Sequence, residues 1–182
     1  MDYALGIDIG GTNTVFGIID KSGNVLKKKS ILTFGQDPVK ELLDRLFHDV
    51  CVWESEINNE AKLAGIGIGV PNGNYHTGMI NPNPPNLGIS WGSLDLIEIV
   101  KHYRNVPVII TNDANAAALG EMHFGAAKGM RDFVVITLGT GLGSGIVVNG
   151  DLLYGHDGSA GELGHIILEN NGPKCKCGKY GC

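Results

Sequence analysis

Ile7-Asp-Ile-Gly-Gly-Thr12 and Ile136-Thr-Leu-Gly-Thr-Gly141 are two versions of one pattern. Each closes an apolar run on a glycine turn, and each is followed by another apolar run rather than by a helix. In the first copy, Tyr3 to Ile9 predicts a strand, Thr14 to Ile19 a second and Val25 to Ile31 a third, with Lys21-Ser-Gly-Asn24 as the turn between the last two. In the second copy, Asp132 to Leu138 is a strand ending in Gly139-Thr-Gly-Leu-Gly-Ser-Gly145. Ile146 to Val148 begins the next, Asn149-Gly150 is a hairpin turn, and Asp151 to Leu153 begins a third. A meander that occurs twice implies duplicated halves, hence two similar lobes with a cleft between them. A dinucleotide-binding turn would need a helix directly after its glycines, so a nicotinamide fold is rejected.

Between the copies the chain alternates helices and strands. Asp37-Pro38 predicts a helix start, with Asp as the cap and Pro at the first position. Val39, Leu42, Leu43, Leu46, Phe47 and Val50 then follow the 3-4 spacing of a helix with one buried face. Leu63 to Val70 is apolar throughout and reads as a central strand. A helix is expected from Ser93 to Tyr103. Val108 to Ile110 is a short buried strand, and the Ala-rich stretch from Asn115 to Leu119 starts a helix. The order is β-β-β-α-β-α-β-α, an α/β fold. The division expected is a first lobe over 1–118 and the start of a second over 119–182.

The totals exclude several classes. Of 182 residues 43% are hydrophobic and 18% charged, and the net charge is −5. That supports a packed core and argues against nucleic acid as the main partner. No apolar run reaches the ~18 residues of a membrane span, and Met1-Asp2-Tyr3 lacks the basic start of a signal peptide. A cytoplasmic protein with no membrane partner is the expectation. Glycine, at 28 residues, clusters at strand ends, where it suits close backbone approach to a ligand.

Four segments carry chemistry. In Asp8-Ile-Gly-Gly-Thr-Asn-Thr14, Gly10 and Gly11 free backbone N–H groups for an anion, and Thr12 adds a hydroxyl. Asp8 can hold a hydrated Mg²⁺. The competing reading is a plain hairpin turn. In Val108-Ile-Ile-Thr-Asn-Asp-Ala-Asn-Ala-Ala-Ala-Leu-Gly-Glu121, Asn112 and Asp113 stand where a strand hands over to a helix. Asp113 there can be a general base or an ordinary helix cap. Pro71 to Gly88 is a long loop whose asparagines, Asn74 among them, suit a polyhydroxy ligand or simply form turns. His165, Cys175, Cys177 and Cys182 make a full tetrahedral zinc set. A small redox or disulfide cluster is the alternative.

Together these segments resemble the ROK family (repressor, open reading frame, kinase), and within it the bacterial glucokinase-like sugar kinases. The resemblance spans the chain: DIGGT at 8–12, TNDANAAALGE at 111–121, TLGTGLGSGI at 137–146, GELGH at 161–165 and CKCGKYGC at 175–182. It implies an actin-like ATPase, ribonuclease H-like two-lobe fold with the second lobe truncated. It also implies an ATP- and Mg²⁺-dependent hexose kinase acting at a sugar 6-hydroxyl, glucose first, with structural Zn²⁺. Asp113 matches the catalytic base. Asn112, Glu162 and His165 match sugar contacts, and Gly11, Thr12, Thr140 and Gly141 fall in the phosphate loops. His165, Cys175, Cys177 and Cys182 match the zinc ligands. Family members run on past this point, with another sugar-binding Glu just after the last cysteine. The loop Pro71-Asn-Gly-Asn-Tyr75 departs from the commoner glycine–proline version, which leaves fructose, mannose and N-acetylmannosamine as other substrates. A non-catalytic sugar sensor is the other class, and a homodimer through the second lobe is expected. Repressor members carry an N-terminal helix-turn-helix, whereas this chain starts directly in its first strand.

Overall fold

The computed structural model describes residues 2–57, 61–139 and 141–182. It divides into two compact units, Met1–Asp113 and Ala114–Cys182.

The first unit holds β1 (Asp2–Ile9), β2 (Asn13–Asp20), β3 (Val25–Leu32), α1 (Val39–Glu56), β4 (Lys62–Gly69), α2 (Leu96–Lys101) and β5 (Val108–Thr111). They build one sheet in the order β3-β2-β1-β4-β5. The β1–β2 and β2–β3 pairs are antiparallel, whereas β1–β4 and β4–β5 are parallel. This is the strand order of the ribonuclease H-like, actin-like ATPase fold. One sheet face carries Leu5, Ile7, Ile9, Phe16, Ile66, Ile68, Val108 and Ile110, packed in one core with Leu42, Leu43, Leu46 and Val50 of α1. The period-2 and 3-4 patterns of the sequence meet there. Strand β3 is the exposed edge, and Lys27, Lys28 and Lys29 blunt it against pairing with another chain.

Two helix starts differ from expectation. Pro38, not Asp37, occupies the cap position of α1, and no side chain caps it. The Asp37 carbonyl instead accepts the indole N–H of buried Trp91 at 2.8 Å, so a tertiary bond fixes the residue. The second helix is shorter than 93–103 because Ser93 has φ 64°, outside the helical region, and donates its N–H to Ile80. Asp95 caps the helix instead, accepting from the Glu98 N–H at 2.9 Å.

α3 (Asp113–Phe124) begins at the last residue of the first unit. The second unit adds β6 (Phe133–Leu138), β7 (Leu142–Val148) and β8 (Asp151–Leu152), a three-stranded antiparallel meander in that order. Asn149 and Gly150, with φ 56° and 88°, form the predicted hairpin turn. A Cβ placed on Gly145 would lie 2.6 Å from the Ala118 Cβ and 2.9 Å from the Ala114 carbonyl. Helix α3 therefore rests on β7 at backbone distance. Among the described residues no helix is long and apolar enough to cross a membrane.

Candidate functional site

The parallel strands β1, β4 and β5 end in one row: Asp8 pairs with Gly69, and Gly69 with Thr111. Ligands of open α/β sheets bind beyond such carboxyl ends. Two residues after Thr111 comes Asp113, the first residue of α3, with half-buried Asn112 before it. Asp113 thus sits inside the first turn and not at the cap position. Burial first, and the Asp113 carboxylate second, push the Asp8 carboxyl above the usual range. Its side chain keeps solvent access, so the ionised form is penalised but not excluded. An acid whose charge is disfavoured by burial and by a neighbouring carboxylate suits a divalent cation held through water, which is the fit expected for Mg²⁺.

The turn after β1 is tightly closed. Gly10 donates its N–H to the Asn13 carbonyl at 2.9 Å. Gly11 has no room for a side chain, because a Cβ there would collide with Asn86. Asn86 itself has φ 61°. The long loop from Pro71 is pinned to the end of β5. Val70 N–H donates to the Thr111 carbonyl at 3.0 Å, and a Cβ on Gly73 would lie 2.5 Å from that same oxygen. Asn74 is buried, and its Oδ1 accepts from the N–H groups of His76 and Thr77 at 2.9 and 3.2 Å. Its carbonyl end thus organises the loop.

In the second unit β6 pairs antiparallel with β7. Leu138 pairs with Leu142, and Gly139 donates its N–H to the Gly141 carbonyl at 3.0 Å. Thr140 lies outside the described residues. The segment 161–165 is held on β7 by buried Ser144, whose hydroxyl donates to the Gly161 carbonyl and accepts from the Leu163 N–H at 3.4 Å. Leu163–His165 forms a 3-10 turn. Glu162 and His165 are both exposed.

The four expected metal ligands come together. One ligand atom from each of His165, Cys175, Cys177 and Cys182 lies within 4.8 Å of all the others. A tetrahedron with sulfur about 2.3 Å and nitrogen about 2.0–2.1 Å from its centre has S···S edges of about 3.8 Å and S···N edges of about 3.6 Å. The Cys177–Cys182 sulfurs are 3.7 Å apart, and Cys175 Sγ is 3.6 Å from His165 Nδ1. A tight turn makes this possible: Cys175 N–H donates to Lys179 at 2.8 Å, and Gly178 and Gly181 have φ 91° and 82°. The Lys179 backbone N–H, then Cys175, hold the Cys177 thiol down at about 7. Desolvation, then the neighbouring sulfurs, push Cys182 up to about 11. A cluster that accepts one thiolate easily and further ones reluctantly suits a cation, and the donor set suits zinc.

The loop asparagines suited to a polyhydroxy ligand include Asn86, and the second glycine run includes Ser144, but neither pattern shows their packing against Gly11 and the 161–165 segment. Nothing in the sequence singles out Thr33, because a threonine after a strand carries no signal of its own.

A family model described as the ROK family matches residues 4–182. A glucokinase of Thermotoga maritima is 35% identical over 181 residues, covering 98% of this chain and 55% of the relative. A xylose repressor of Bacillus spizizenii is 35% identical over 188 residues, covering 99% of this chain and 46% of that protein. Among solved structures, a ROK family glucokinase from Streptomyces griseus in complex with glucose and AMPPNP superimposes with a TM-score of 0.80 at 33% identity, covering 99% of this chain and 55% of that one. The chain therefore spans about half the length of the relatives it matches.

Proposed function

The chain belongs to the ROK family, and on that premise we propose that it is the N-terminal portion of an ATP-dependent hexose kinase that phosphorylates a sugar 6-hydroxyl, glucose first. The observation that carries this reading is the placement of Asp8 and Asp113 at the carboxyl ends of parallel strands, beside the Gly10–Thr12 turn. Phosphoryl transfer asks a protein for positioning and charge stabilisation more than for covalent chemistry. Asp113 accepts the proton of the attacking hydroxyl. Asn74, Asn112, Glu162 and His165 orient the sugar through its other hydroxyls. Backbone N–H groups at Gly11, Thr12, Thr140 and Gly141 cradle phosphate oxygens, Gly10 closes the turn through its bond to Asn13, and Asp8 would hold hydrated Mg²⁺. The metal ion neutralises charge on the phosphate chain when bound.

Cys175, Cys177, Cys182 and His165 would hold structural zinc, which would fix the imidazole. Nδ1 of His165 faces Cys175, which leaves Nε2 as the ring atom for a sugar oxygen. The likeness to a xylose repressor keeps a second reading, a sugar sensor without turnover. Asp113 separates the two, since a sensor needs no base. The test is ADP release by the full-length protein with a panel of hexoses, alongside Asp113→Asn. The kinase reading expects kcat to fall by roughly 10²–10⁴-fold with sugar binding nearly kept. Turnover within a few-fold of the parent would make Asp113 structural, and no ADP release with any sugar would favour the sensor.

A further inference from the structure

Thr33 follows the last residue of β3, and its side chain is 1% exposed. Its hydroxyl donates to the Gly10 carbonyl at 2.7 Å and lies 2.9 Å from the hydroxyl of fully buried Thr14. Its backbone N–H donates to the Thr12 carbonyl at 2.8 Å. One residue therefore holds two carbonyls of the glycine turn, two positions apart.

The consequence follows from peptide geometry. In a planar trans peptide the C=O and the N–H of the next residue point in opposite directions. Drawing the Gly10 carbonyl toward Thr33 turns the Gly11 N–H away from it. Drawing the Thr12 carbonyl toward Thr33 does the same for the Asn13 N–H. Asn86 closes on Gly11, and Gly35, two residues after Thr33, lies against both, so the turn is packed where Thr33 holds it. The hydroxyl of Thr14 gives the buried Thr33 side chain its second partner, which leaves the donor proton of Thr33 for Gly10.

We propose that Thr33 is a positioning residue for phosphate binding, aiming the Gly11 and Asn13 amides outward while touching no ligand itself. The proposal rests on the reading of the Gly10–Thr12 turn as a phosphate loop. Valine at position 33 keeps the shape and removes the hydroxyl, leaving the half-buried Gly10 carbonyl and the buried Thr14 hydroxyl without the Thr33 hydroxyl as partner. Serine keeps the hydroxyl. The double variant Thr14→Val/Thr33→Val removes both hydroxyls, so stability recovers while the Gly10 carbonyl stays unheld.

The experiment combines two measurements on the whole chain. Backbone NMR and amide exchange report the Gly11 and Asn13 amides. Calorimetry reports binding of ATP-Mg²⁺ and of inorganic triphosphate. Thr33→Val is expected to shift those two amides and weaken both ligands by about tenfold or more, with Thr33→Ser within about twofold of the parent. The double variant should melt closer to the parent yet bind as poorly as Thr33→Val. Parent-like affinity in a folded Thr33→Val, or restored binding in the double variant, would overturn the proposal and reduce Thr33 to packing. If the parent chain binds neither ligand, the phosphate-loop reading fails on its own. The amide shifts then still decide whether Thr33 sets the turn, and unchanged Gly11 and Asn13 amides would reject that too.

Discussion

Asp8 is stabilised in its neutral form, because burial and the Asp113 carboxylate both raise its pKa. The sign of the stability effect follows. A carboxyl with a higher pKa in the folded state holds its proton more tightly there. Its contribution is therefore most favourable below the ordinary carboxylate range and is lost as pH rises through the raised value. Asp8→Asn removes the charge and keeps the shape, so it should raise the urea midpoint at pH 7. The gain should shrink as pH falls through the raised value and be gone below about 4, where the parent is protonated in both states. On the kinase reading proposed above, phosphoryl transfer by the full-length protein should fall in the same variant, a gain in stability set against a loss of function. Equal midpoints for variant and parent across that pH range would show that Asp8 carries no electrostatic burden. At this scale the sequence was legible in residue type and spacing, and not in partner. Asp113 left a choice between base and cap. The fold puts it inside the first turn of α3, a placement decided by where β5 stops. Asn74 left a choice between ligand contact and turn former. Its Oδ1 is occupied by two backbone N–H groups.

Elements were easier to read than their ends. The six buried positions of α1 are those that the 3-4 spacing names, because a helix face against a sheet imposes that period. The start of α1 was misjudged, since Asp37 is engaged by Trp91 from far along the chain, and no local pattern carries that. The contact of α3 with β7 was likewise hidden in glycines that looked like a phosphate loop alone. Gly145→Ala puts a Cβ 2.6 Å from that of Ala118, and overpacking of this kind costs about 1–3 kcal/mol. Gly67→Ala, with nothing within 4 Å of its new Cβ, is the control and should change little. Adding Ala118→Gly to Gly145→Ala should recover part of the loss. Equal denaturation midpoints for the two single variants would mean that α3 does not rest on β7 as described. For the cysteine turn, Co²⁺ titrated into the reduced chain should give thiolate charge-transfer absorption at one metal per chain. Cys182→Ser should weaken that signal. Structural zinc is worth on the order of 10 kcal/mol of apparent folding free energy, so chelation should loosen the segment after Gly158, read by proteolysis. Zinc-free protein with unchanged protease resistance would leave the four residues as a thiol cluster.

At the scale of the whole chain, the duplicated glycine turn led directly to two meanders, and both are present, in separate units. The repeat was legible because two antiparallel hairpins with the same turn chemistry need the same residues. What covers each sheet was not legible, because that depends on surfaces far apart in sequence. In the second unit Phe133, Val135 and Thr137 of β6 are half-buried, while Val134, Ile136 and Leu138 face out, Leu138 at 82% exposure. Ile166, Ile167 and Leu168 are exposed as well. An open apolar sheet face on an edge strand is an association surface, and a second copy of the chain offers the same face for a symmetric contact. We therefore expect the 182-residue chain to self-associate through residues 132–168. Sedimentation velocity should show a dimer whose fraction rises with concentration. Ile136→Lys or Leu138→Lys should return it to monomer without lowering the melting temperature, since both side chains already face solvent. A parent chain that stays monomeric at about 100 μM, far above the Kd of a specific dimer, would mean that this face is tolerated in water. An association that survives both lysines would move the contact to another surface.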